Sequence, residues 1–172
     1  DAVNGYDLYL TLDLSIQEAL NNCLQTTIEY KNASRAWGAV VEINTGKILA
    51  WAQTPSFNPN VLEFSEHLNY GSQVAYEPGS TMKPIIYAAA MDLGVYDGNT
   101  TYDSSPFCVT GSIDEPRRTY SDNAYACIKN VDNKNWGIIP LDYGLIYSSN
   151  VATSTLLCSY VGFNNYLDYL QK

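Results

Sequence analysis

Among the serines of this chain, only Ser80 has a lysine three residues on, Lys83. On a helix, positions i and i+3 share a face about one turn apart, so the lysine amine can reach the serine hydroxyl. A serine hydroxyl is a weak nucleophile until a neighbouring base takes its proton. Lysine becomes such a base once burial or a nearby cation lowers its pKa. The pair therefore points to covalent chemistry through an activated serine. A bare Ser-x-x-Lys arises easily by chance, so the weight lies in its setting. Pro78-Gly79 stands immediately before Ser80, and the apolar run Ile85 to Leu93 follows and ends at Gly94. This predicts a helix with Ser80 at its entrance and Gly94 as its C-cap. Pro84 suits that helix only in the first turn, where its missing N–H is not needed. Free N–H groups at the entrance, that of Ser80 included, can stabilise an oxyanion.

Ser148-Ser149-Asn150 is the second constellation, set between helical stretches from Pro140 to Tyr147 and from Val151 to Tyr160. In a tight turn Ser148 and Asn150 can project into one cleft. The hydroxyl would relay a proton, and the amide would bond a substrate carbonyl and the lysine. The same residues also suit an ordinary N-cap for the helix near Val151. Local sequence leaves both readings open. His67, the one histidine, lies between Glu66 and Leu68 and reads as a surface or loop residue, so no Ser-His-Asp triad is expected. Glu77 either sets the electrostatics near Ser80 or is solvated.

The elements that must position these groups follow from the pattern. Tyr6 to Leu12 alternates and reads as a short strand. Ser15 and Glu18 form a capping-box pair ahead of an amphipathic helix from about Ser15 to Lys31. Trp37 to Ile43 and Lys47 to Gln53 read as two strands joined by Asn44-Thr45-Gly46, a hairpin with a bulge. Pro55 and Pro59 begin a loop of about twenty residues, a length that often serves function. From Val95 to Asn135 the polar composition predicts irregular structure and short turns.

A hydrophobic fraction of 46% with 16% charged residues describes a folded domain, and 172 residues suffice for one. The net charge of −9 argues against nucleic acid as a partner. Trp37, Trp51 and the tyrosines read as core and groove lining. There is no apolar run long enough to span a membrane and no leader pattern. Cys23 and Cys158 read as packed helix-face residues. Cys108 and Cys127 flank a loop-rich stretch and could pair in an oxidising compartment, although sequence does not fix connectivity. The cysteines form no C-x-x-C pair, so neither a metal nor a cofactor is expected.

Tyr76-Glu77-Pro78-Gly79-Ser80-Thr81-Met82-Lys83-Pro84 resembles the active-serine segment of penicillin-binding proteins, in particular the monofunctional class B transpeptidases. Trp37 to Ala52 resembles the family's first hairpin, and Pro55-Ser56-Phe57-Asn58-Pro59-Asn60 the loop after it. Leu10-Thr11-Leu12-Asp13 with Gln17 is similar to the start of the domain. Ser148-Ser149-Asn150-Val151 falls where a Ser-x-Asn motif belongs. The matches run in order over most of the chain, with Val95 to Asn135 the least similar.

The resemblance implies an α/β (α+β) penicillin-binding/serine β-lactamase-like transpeptidase fold, helices packed on an antiparallel sheet. Here that would be only the N-terminal hairpin and the helical part. It implies D,D-transpeptidase activity through a Ser80 acyl-enzyme, with Lys83 as general base, Ser148 as proton relay and Asn150 positioning substrate and lysine. The implied partners are peptidoglycan stem peptides (a D-Ala-D-Ala donor and an amine acceptor), β-lactams, and membrane proteins of the division or elongation machinery. The place implied is the extracytoplasmic face of the bacterial membrane, with an anchoring helix upstream. A D,D-carboxypeptidase, a serine β-lactamase and a non-catalytic penicillin sensor or scaffold are the alternatives. The family's Lys-Thr-Gly triplet does not occur, and Val109-Thr110-Gly111 lacks the lysine. The expectation is thus that residues 1–172 are the N-terminal part of one domain. Such a piece is expected to be weak or inactive alone, and to self-associate or pack loosely.

Overall fold

A computed structural model describes residues 5–58, 60–61, 68–112, 116–119 and 126–171 of the chain. They divide into two units, Asp1–Tyr76 and Glu77–Lys172. His67 and most of the long loop after Pro59 lie outside the described residues.

In the first unit, helix α1 (Leu14–Lys31) starts one residue before the predicted Ser15, with its cap two residues before the one the capping box predicts. The Asp13 carboxylate takes the cap instead, accepting from the N–H groups of Ser15 (2.9 Å) and Ile16 (3.0 Å). A carboxylate there satisfies two orphan donors and also suits the positive end of the helix dipole. The hairpin is as read: β1 (Ala36–Val41) pairs antiparallel with β2 (Ile48–Thr54), with a register shift between Val40 and Val41. Gly46 turns it at φ +72°, where a side chain would be strained. α1 lies against this sheet, and Gly38 lets the Leu20 side chain approach the strand, 3.1 Å from where a Cβ would be.

Two expectations fail in this unit. Tyr6 to Leu12 forms no strand: Tyr6, Leu8 and Tyr9 are exposed, and the segment is tied to the start of β2 at its end. There the Thr11 hydroxyl donates to the Ile48 carbonyl, and the Asp13 N–H donates to that of Leu49. Alternation makes a strand only where a neighbour takes the backbone groups. Cys23 is exposed and free, because the buried stripe of α1 centres on Leu24.

The second unit begins with a 3-10 turn (Gly79–Met82) running into α3 (Lys83–Asp92); a four-residue helix, α2 (Tyr70–Gln73), belongs to the first unit. Gly94 ends α3 as predicted, at φ +68° with its N–H on the Met91 carbonyl (3.0 Å). α4 (Leu141–Ile146), α5 (Asn150–Leu156), a π turn (Leu157–Val161) and α6 (Phe163–Leu170) follow. The core joins Ile86, Tyr87 and Ala90 of α3 to Leu141, Val151, Ala152 and Leu156.

The stretch read as irregular is in part sheet, so the fold is more than a hairpin and helices. β3 (Thr101–Asp103) pairs with β7 (Ile138–Pro140), and β4 (Phe107–Gly111) lies between β5 (Pro116–Thr119) and β6 (Ala126–Ile128). The polar composition conceals it because these strands are short and are held from outside. Phe107 and Val109 point alternately into the helical core, and a Cys108–Cys127 disulfide joins β4 to β6.

Gly144 marks a close approach of α4 to α5. A Cβ there would stand 2.3 Å from that of Ala152 and 2.7 Å from the Tyr87 hydroxyl. Gly144→Ala is expected to cost about 1–3 kcal/mol by overpacking, read as a lower unfolding midpoint. Tyr87 and Tyr96 are expected to set an alkaline limit. Burial, first of all, raises both phenol pKa values above their usual range. Tyr96 adds a hydrogen bond to the Asp142 carboxylate. A raised folded pKa stabilises fully below the unfolded value of about 10 and is lost as pH rises beyond it. Thermal midpoints are therefore expected to fall above about pH 10, and to fall less in Tyr96→Phe.

Candidate active site

Gly79 opens the 3-10 turn at φ +58°, and the Thr81 hydroxyl closes it onto the Pro78 carbonyl (2.7 Å). Pro-Gly thus does what the sequence suggested and presents Ser80 at the entrance to α3. The Ser80 side chain is exposed, and among the described residues its hydroxyl has no hydrogen-bond partner.

Lys83 is the first residue of α3 and is only 7% exposed. Its Nζ donates to the Ser148 carbonyl (2.5 Å) and to the Ser148 hydroxyl (3.0 Å). Among the described residues its partners include no carboxylate, and burial holds the amine pKa below its ordinary value. The direct Lys83–Ser80 contact expected from i, i+3 spacing is not made. The tighter 3-10 turn precedes Lys83, and the amine turns to the stronger acceptor, a backbone carbonyl.

The turn between α4 and α5 resolves the two readings of Ser148-Ser149-Asn150 by dividing them. Ser149 is the cap, buried, with its Oγ accepting from the Ala152 N–H (3.0 Å). Ser148 is left-handed at φ +53° and so faces its carbonyl and hydroxyl to Lys83. Asn150 differs from expectation. Its Nδ2 donates to the Lys129 carbonyl (2.9 Å), and among the described residues no hydrogen bond from the Lys83 amine reaches its Oδ1.

Ser80, Lys83 and Asn150 line one cavity of about 560 Å³, together with Ile128, Thr153 and Tyr166. The structure therefore brings the four predicted residues together, three on the cavity wall and Ser148 bonded to the Lys83 amine. Cys127, Ile128, Lys129 and Val131 supply a further wall that sequence reading missed, since they lie in the stretch taken as irregular. Among the described residues, no group of His, Cys, Asp or Glu is placed to hold a metal ion. No helix among them is long and apolar enough to cross a membrane.

Comparison with known proteins fits this arrangement. The family model for the penicillin binding protein transpeptidase domain matches residues 37–172. The chain belongs to that family. It is 29% identical over 114 residues to the peptidoglycan D,D-transpeptidase FtsI of Escherichia coli K12, covering 64% of this chain and 19% of that protein. It is 35% identical over 107 residues to the probable peptidoglycan D,D-transpeptidase PenA of Neisseria gonorrhoeae, covering 60% of this chain and 18% of the relative. The chain thus spans about a fifth of the length of these relatives. A crystal structure of a peptidoglycan glycosyltransferase from Burkholderia ambifaria shares the fold, with a TM-score of 0.63 and 23% identity, over 86% of this chain and 39% of that one.

Proposed function

We propose that the protein carrying this sequence is a class B, monofunctional peptidoglycan D,D-transpeptidase acting at the extracytoplasmic face of the membrane. The observation that carries the reading is Lys83. A buried, carboxylate-free lysine bridges to Ser148 beside a cavity that also holds an unengaged serine hydroxyl.

In this reading the Ser80 Oγ attacks the carbonyl carbon between the last two D-alanines of a stem peptide. Lys83, whose amine pKa burial lowers from its ordinary value, takes the hydroxyl proton as the C–O bond forms. Catalytic hydrogen bonds often tighten only when substrate is bound, and in this reading the amine engages Ser80 at that point. The proton passes through the Ser148 hydroxyl to the leaving nitrogen, the C–N bond breaks, and D-alanine departs. An amine of a second stem peptide then attacks the ester, its proton returns to the Ser80 oxygen, and the peptide cross-link is released. Asn150, with its amide nitrogen held by Lys129, keeps the turn at the cavity wall and positions substrate there. A β-lactam would acylate Ser80 by the first half of the same path. Donor and acceptor stem peptides, and membrane proteins of the wall-building machinery, are the partners implied.

The test is to label the full-length protein with a fluorescent penicillin and locate the adduct by peptide mass spectrometry. A lasting adduct on the peptide containing Ser80, with cross-linking of stem peptides, is the expected result. No adduct, or one elsewhere, overturns the reading. An adduct lost quickly to water would instead mark a β-lactamase, and a lasting adduct without cross-linking a sensor.

A further inference from the structure

Asn130 lies outside every motif of the sequence, yet it is the most heavily bonded side chain near the cavity. It is 3% exposed. Its Nδ2 donates to the carbonyls of Ser104 (3.1 Å) and Lys134 (3.0 Å). Its Oδ1 accepts from the Ser149 hydroxyl (2.9 Å) and the Val151 N–H (3.2 Å). An amide offers two donors and two acceptor sites, so the group is saturated.

The adjacent residue works on the same turn, since the Lys129 carbonyl accepts from Asn150 Nδ2 (2.9 Å). Residues 129 and 130 thus hold 149, 150 and 151, leaving Ser148 as the residue that meets Lys83. The holding segment is itself fixed. Ser104 is fully buried, with its one hydroxyl proton within reach of both Asn135 Oδ1 (3.0 Å) and the Gly137 carbonyl (2.8 Å). Two residues before Lys129, Cys127 is bonded to Cys108.

We propose that Asn130 is the positioning residue of the Ser148–Asn150 turn, setting where the Ser148 oxygens meet the Lys83 amine and so how fast Ser80 is acylated. This rests on the function proposed above. Asn130 touches no reacting atom. It acts through Ser149 and Val151, and only an amide can accept from both while donating to the two carbonyls behind it. Aspartate would turn a carboxylate oxygen on those carbonyls, and alanine would remove the Asn130 partner from all four groups.

The experiment compares full-length wild type with Asn130→Ala, Asn130→Asp and the milder Ser149→Ala. Penicillin acylation is measured across pH, normalised to the folded fraction from circular dichroism, and split into saturating rate and half-saturating concentration. Misplacing a catalytic group by about 1 Å can cost about a hundredfold. A fall of about ten- to a hundredfold in the saturating rate is therefore expected for the Asn130 variants. The half-saturating concentration should change little, the rising limb of the pH profile should be displaced, and Ser149→Ala should show a smaller fall of the same kind. Wild-type rate and pH profile in the folded variants would overturn the proposal, as would losses that only track the folded fraction. Either result, with wild-type label still on Ser80, leaves the transpeptidase reading standing. Label that does not depend on Ser80 removes that reading itself.

Discussion

Ser80→Ala in the full-length protein is expected to abolish acylation by a fluorescent penicillin while leaving the fold intact. The two halves of that expectation have separate physical grounds. Removing a nucleophile eliminates the covalent path, and losses on the order of 10⁴- to 10⁶-fold are typical, non-covalent binding being all that remains. The fold should not notice. Ser80 is exposed, and among the described residues its hydroxyl has no hydrogen-bond partner. Changes at such surface positions usually stay within about 0.5 kcal/mol. The melting curve of the variant should therefore overlay the wild type. Equal labelling of the two proteins would sink the nucleophile assignment. Loss of label accompanied by unfolding would show that Ser80 has a structural part that its exposure does not suggest.

The site was legible where punctuation and spacing act locally. Pro78-Gly79 before Ser80, Pro84 in the first turn and Gly94 at the end define α3 without help from the rest of the chain. The turn at 148–150 was legible as a break, but not which of its two serines would cap α5. Side-chain direction there depends on Ser148 being left-handed, a state that glycine would advertise and serine does not. Asp13 displaced the Ser15 capping box because its carboxylate, two residues earlier, takes the N–H groups of Ser15 and Ile16 and so starts the helix at Leu14. The β5-β4-β6 sheet and Asn130 were illegible for a common reason. Their stability comes from contacts distant in sequence, Phe107 and Val109 on the helical core and Asn130 on Ser104 and Ser149, and no local pattern announces these.

Lys83→Met carries the second large expected effect, and it separates chemistry from stability through pH. Methionine keeps most of the apolar stem but has no amine to take a proton, so acylation should fall by about 10²- to 10⁴-fold, the usual worth of a general base. In the wild type, the acylation rate should rise with pH as the amine deprotonates, through a pKa that burial places below the ordinary lysine value. Stability carries the same signature. Below the folded pKa both states hold the proton, and the folded state bears the cost of a buried charge. Between the folded value and the unfolded value of about 10.4, the unfolded chain binds more protons, so stability rises with pH across that window and then levels. Lys83→Met should lack this rise and lose the pH dependence of acylation together with its rate. Because Ser148 is exposed, water can replace the lost donor at its carbonyl, and the neutral-pH melting point should change little. A variant that acylates at the wild-type rate with the wild-type pH profile would remove Lys83 from the mechanism. One that is inactive but keeps the stability rise would place that rise on another group.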